Sequence, residues 1–124
     1  MKARALGPLA GVAVMLSGLL VASPAHAATT SVYSPDGGAL GQVAVAASGT
    51  ITLIARDKSC DGRGAVLHYK IDGVRSTLSD GSCHGDVAVR GPFLPTSSWI
   101  DIYVCNTNTR TGYKSCSSTK RVAT

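Results

Sequence analysis

Outside the N-terminal segment the chain has two histidines, His68 and His84, and these are the side chains that can exchange a proton near neutral pH. His68 falls at a polar position of an alternating run. His84 follows Cys83 in a Ser- and Gly-rich loop. A hydrolytic site of the Ser-His-Asp type would need one of them between a hydroxyl and an Asp in space. Ser and Asp are plentiful but scattered, and no G-x-S-x-G turn occurs. The chain contains no Glu, so a glycosidase-type carboxylate pair would have to come from dispersed Asp residues. Asp57, Asp61 and Gly62 offer oxygen ligands for calcium, yet they lack the D-x-[DN]-x-[DN]-G spacing and a distal Glu. The residues therefore read as non-catalytic and free of metal or other cofactor. A small extracellular hydrolase is the second alternative.

Aromatic residues suggest a different chemistry. The chain has one Trp (Trp99), one Phe (Phe93) and four Tyr. Trp99 lies in a strand-like run. Phe93 lies between Pro92 and Pro95, where it would form an exposed apolar loop. Both are candidates for partner contact, because large aromatic side chains anchor recognition surfaces.

The N-terminal segment points to the compartment. Lys2 and Arg4 precede a mostly apolar stretch from Ala5 to about Ala22, and Ala25-His26-Ala27 fits an A-x-A cleavage site. Residues 1–27 are expected to be a secretory signal peptide, leaving residues 28–124 as a single secreted domain. The four cysteines, Cys60, Cys83, Cys105 and Cys116, then lie in an oxidising compartment and read as two disulfides. Three connectivities are possible. Short enclosed segments favour Cys60–Cys83 and Cys105–Cys116, each contributing roughly 3 kcal/mol in the chain-entropy description. No C-x-x-C pair supports zinc.

The elements that would position these residues are short strands. Val43 and Val45 alternate before Ser48-Gly49, and Ile51, Leu53 and Ala55 alternate after it, which reads as a hairpin. Ala65, Leu67, Tyr69 and Ile71 share one face of the next run; Val66, His68 and Lys70 share the other. Asp72-Gly73 is the strongest two-residue turn signal in the chain. Val87 and Val89 mark a further strand before Gly91-Pro92. Ile100, Ile102 and Val104 oppose Trp99, Asp101, Tyr103 and Cys105 in another, and Tyr113–Val122 forms a last one. Ala28–Gly38 reads as a polar lead-in, poorly ordered at its start. No helical periodicity is present. The expectation is an all-β antiparallel β-sandwich, immunoglobulin-like or Greek-key, of 7–8 short strands with two disulfides.

The formal charge of +5 falls by two when Lys2 and Arg4 are removed, and the remaining cations are dispersed. That favours mild attraction to anionic surfaces over nucleic-acid binding.

The Asp57…Cys60-Asp61-Gly62 loop, the Val66–Tyr69 strand, the Gly81…Cys83 loop and the ending Tyr103-Val104-Cys105…Ser115-Cys116-Ser117 together resemble a family of small, mostly uncharacterised secreted actinomycete proteins. The resemblance covers about residues 41–123. It implies a disulfide-stapled β-sandwich and brings no site residues.

The functional expectation is a secreted monomer, extracellular or cell-wall associated. It would present the loops 57–64, 79–85, 91–97 and 106–112 to an extracellular protein or cell-wall polymer, as a binding or inhibitor-type module. The first alternative is a structural protein of the cell surface or spore. After signal cleavage it would not be an integral membrane protein.

Overall fold

The structure, a computed structural model, describes residues 28–81 and 87–124. The expected signal peptide of residues 1–27 lies outside the described residues, as do Cys83 and His84. The sequence alternation is realised as strands β1 Ala28–Tyr33, β2 Ala39–Val45, β3 Ile51–Asp57, β4 Gly64–Ile71, β5 Val74–Asp80, β6 Ala88–Phe93, β7 Trp99–Asn108, β8 Tyr113–Cys116 and β9 Lys120–Ala123. One sheet has the order β1-β2-β3-β6. The other has the order β9-β7-β4-β5, with β8 also paired to β7. Every pairing is antiparallel.

Three crossings lock the sheets together, the chain returning to the four-stranded sheet between β5 and β6. The chain leaves the four-stranded sheet after β3 to form β4, and again after β6 to form β7, while β3 pairs with β6 and β4 with β7. Between the sheets, Val43, Ile51, Leu53 and Ala55 meet Leu67, Tyr69, Ile100, Ile102 and Val104. These are the residues that alternation assigns to one face of each strand, as a half-buried antiparallel sheet requires. Gly41 permits the close approach: a Cβ there would stand 2.6 Å from Leu67 Cδ1 and 3.3 Å from Val104 Cβ. A second tie comes from Arg90 on β6, whose guanidinium donates to Tyr69 Oη at 2.8 Å and to the Thr77 carbonyl at 3.0 Å.

The turn between β4 and β5 forms as its Asp-Gly pair dictates. Asp72 has φ 52° and Gly73 φ 81°, the left-handed pair of a type I′ hairpin turn. The register then sets His68 opposite Thr77 and Lys70 opposite Arg75.

The expected immunoglobulin-like or Greek-key sandwich of seven to eight strands with two disulfides is corrected. The described residues form two packed antiparallel sheets of nine strands in all, and they contain a single disulfide, Cys105–Cys116. Two features account for the strand number. The supposed lead-in is a full edge strand, since Ala28 through Tyr33 pair in register with Val45 through Leu40. The supposed last strand is two: β9 runs beside Trp99–Ile102 and β8 beside Cys105–Asn108. The break between them is fixed where Ser117 bonds to Val104 through both its backbone and its hydroxyl. The expected Cys60–Cys83 bridge involves Cys83 and so lies outside the described residues. Among the described residues, no helix is long and apolar enough to cross a membrane.

Candidate functional site

Side chains of β4 alternate between the core and the outer face of the five-stranded sheet. Ala65, Leu67 and Tyr69 face inward, so His68 and Lys70 face outward. Pairing carries the same face across β5 and β7. His68 lies between Thr77 and Tyr103, and Lys70 between Arg75 and Asp101. These residues, with Ser76 and Thr119, line a groove of about 380 Å³. Its volume is at the lower end of the range for small-molecule sites, about 300–1,000 Å³.

A stacked pair forms part of the groove wall. The His68 and Tyr103 rings are nearly parallel, with centroids 4.4 Å apart and an interplanar angle of 6°. They are cross-strand neighbours, so sheet register brings them together. Burial pushes the His68 imidazole below its ordinary range and nearby Lys114 adds to that, so the ring is neutral at pH 7. Its packing against Tyr103 does not form the hydroxyl–His–carboxylate chain that a hydrolytic site would need.

Beside the rings runs a row of charge. Arg75, Lys70, Asp101 and Arg121 succeed one another across β5, β4, β7 and β9. Arg121 takes both oxygens of Asp101, at 2.9 and 3.2 Å. That hydrogen bonding, with the positive charge of Arg121, Lys70 and Arg75, holds the Asp101 carboxyl below the usual carboxylate range. Lys70 and Arg75 stand opposite each other with no salt bridge to an acid among the described residues.

Of the two aromatic residues singled out from sequence, Trp99 reaches this surface and Phe93 does not. Trp99 is 47% exposed, and the Arg121 guanidinium lies 4.8 Å from its ring centroid. With Asp72, Thr96 and Ser97 it lines a second cavity of about 490 Å³, which shares Lys70 and Asp101 with the groove. Phe93 ends β6 in the other sheet, opposite Ile51, and packs half-buried on the core. The apolar residue that the 91–97 loop exposes is Leu94, at 70%.

The calcium-like loop has a different occupation. Asp61 accepts from its own loop, through Ser59 Oγ at 3.0 Å and the Arg63 amide at 3.0 Å. No group of three or more His, Cys, Asp or Glu able to hold a metal occurs among the described residues. Instead the loop joins a network around Asp36, with Asn106, Tyr113 and Arg63, the last stacked 3.5 Å from the Tyr113 ring centroid. Asp36 was not legible as a site residue, since Pro35-Asp36-Gly37-Gly38 signals only a turn. Lys70 and Arg75 could have been found by continuing the Val66-His68-Lys70 face through the Asp72-Gly73 turn.

Comparison with protein-family models, curated proteins and solved structures finds no match.

Proposed function

We propose that the protein is a secreted, non-catalytic binding module whose ligand surface is the groove on the outer face of the five-stranded sheet. One observation carries this reading. The groove brings a stacked aromatic pair, hydroxyls and two cations without a salt bridge onto one surface held by three paired strands. Donors fixed on strands are pre-organised, and pre-organisation lowers the cost of binding. The loops at the ends of the two packed sheets are less suited, because the Asp36 and Asp61 carboxylates are already engaged by their own surroundings.

The test is affinity capture with the exported protein as bait, using extracellular proteins and wall polymers of the exporting organism as prey. A partner retained by the wild type and by Leu94→Ser, but lost with Tyr103→Ala, supports the groove. A partner lost with Leu94→Ser and kept by Tyr103→Ala moves the site to the loops and ends this reading.

A further inference from the structure

The charged row on the groove is locally unfavourable as it stands. Like charges placed directly opposite on neighbouring strands repel and destabilise the pairing. Lys70 and Arg75 are such a pair. The nearest acid along the row, Asp101, is turned to Arg121 with both oxygens. Three cations therefore share one carboxylate across four strands. A local rule that the fold compensates only in part, through the one shared Asp101 charge, marks a candidate functional surface. An oxyanion would balance the row, and the planar Arg75 fork beside the Lys70 point charge suits a carboxylate.

The remaining lining narrows what carries that carboxylate. Ser76, Thr77 and Thr119 offer hydroxyls, and the His68–Tyr103 pair offers ring surface together with polar ring atoms. Such a mixture matches a sugar ring, which has both hydroxyls and an apolar C–H surface. The groove runs from the edge strand β5 across the face of β4 and β7, whereas an acidic peptide adding as a strand would lie along the β5 edge alone.

Resting on the groove reading above, we propose that the ligand is a carboxylated glycan, a polymer of uronic-acid units. Lys70 and Arg75 receive the carboxylate, and the sugar ring lies against His68 and Tyr103.

The experiment is calorimetric titration of the full chain, expressed in an exporting host and purified as that host releases it. The probes are polygalacturonate, its methyl-esterified form and inorganic polyphosphate. The expected result is binding of polygalacturonate that weakens by about tenfold or more on esterification, since a charge-assisted hydrogen bond contributes roughly 1.5–3 kcal/mol. The double variant Lys70→Ser/Arg75→Ser loses affinity similarly while its Tm, measured alongside, stays near that of the wild type. Equal binding of free and esterified polymer, unchanged binding by the double variant, or binding of polyphosphate alone overturns the proposal. If the esterified polymer binds and Tyr103→Ala abolishes it, the groove stands and only the carboxylate assignment fails. If no polymer binds, the glycan assignment falls, and the capture experiment decides the groove separately.

Discussion

Asn106, fully buried near the end of β7, donates its side-chain amide to Asp36 Oδ2 at 3.0 Å, across 70 residues of sequence. The same carboxylate accepts from Tyr113 Oη at 2.7 Å, from Ser34 Oγ at 2.6 Å and from the Gly38 amide at 3.0 Å. One turn residue thus ties the β1–β2 connection to both β7 and β8. Gly38 leaves room for it, since a Cβ there would overlap the Asn106 amide. Burial pushes the Asp36 carboxyl upward, but the four hydrogen bonds outweigh burial and hold it well below the usual range. A carboxyl lowered by folding stabilises the fold above its unfolded pKa of about 3.8 and loses that contribution as pH falls toward the folded value. Asp36→Ala should therefore cost about 2–3 kcal/mol at pH 7, with buried donors left unpaired. Urea denaturation from pH 7 to pH 2 should show the gap between wild type and variant closing below pH 4. A gap that persists unchanged in acid would mean packing, not charge, is at stake.

Sequence carried the inward faces far and the long-range polar ties hardly at all. Leu67, Tyr69, Ile100, Ile102 and Val104 are buried as alternation requires, because the strand period of two depends only on near neighbours. The Asp72-Gly73 turn was legible for the same local reason. Phe93 was misplaced because flanking prolines suggested a loop, whereas β6 continues through Gly91-Pro92 with a register shift opposite Ile51 and Leu53. Asp36–Asn106 was invisible, since nothing local links a turn of one sheet to a strand of the other. The groove was half visible: His68 stood out by type, but its pairing with Tyr103 needed the β4–β7 register.

Gly41 tests how closely the sheets must pack. An added methyl would stand 2.6 Å from Leu67 Cδ1 and 3.2 Å from Val32 Cγ2, and both residues are buried. Overpacking of this kind costs about 1–3 kcal/mol. Gly41→Ala should lower the unfolding free energy by that amount, read as a lower urea midpoint with an unchanged m-value. Adding Leu67→Val, which withdraws the crowding carbon, should make the double variant more stable than the sum of the single effects. Strict additivity would place the strain elsewhere.

Asp72 clamps the loop that precedes Trp99. Its carboxylate accepts from the Thr96 amide at 3.0 Å, the Ser97 amide at 2.8 Å and Ser97 Oγ at 2.8 Å. Those bonds lower its pKa to about 2. The clamp is complete above the unfolded value of 3.8 and should release as pH falls from there to about 2. Asp72→Gly keeps the left-handed turn, which glycine adopts freely, and removes only the acceptor. Hydrogen exchange should then show faster exchange at Thr96 and Ser97 in the variant at pH 5, with wild type and variant converging near pH 2. Equal protection at pH 5 would show that β6 and β7 hold the loop without Asp72.

His68 supplies the last test, because it can add charge to the groove. Around it stand Lys70 on its own strand, Arg75 and Thr77 on β5, Asp101 and Tyr103 on β7, and Lys114 on β8. Burial, with Lys114, depresses its pKa below 6.5, so the neutral ring is the folded form at pH 7. Two consequences have opposite signs. Stability should decline as pH falls below 6.5, since the unfolded chain takes up the proton first. Affinity for a polyanion should instead rise over the same interval, because the bound ligand favours the imidazolium and Asp101 remains ionised beside Arg121. Titrations with polygalacturonate between pH 7.5 and pH 5 should show tighter binding in acid for the wild type. His68→Gln should bind with a flat profile and keep its stability over that range. A flat profile in the wild type would remove His68 from the ligand surface, and a parallel rise in His68→Gln would assign the titration to another group.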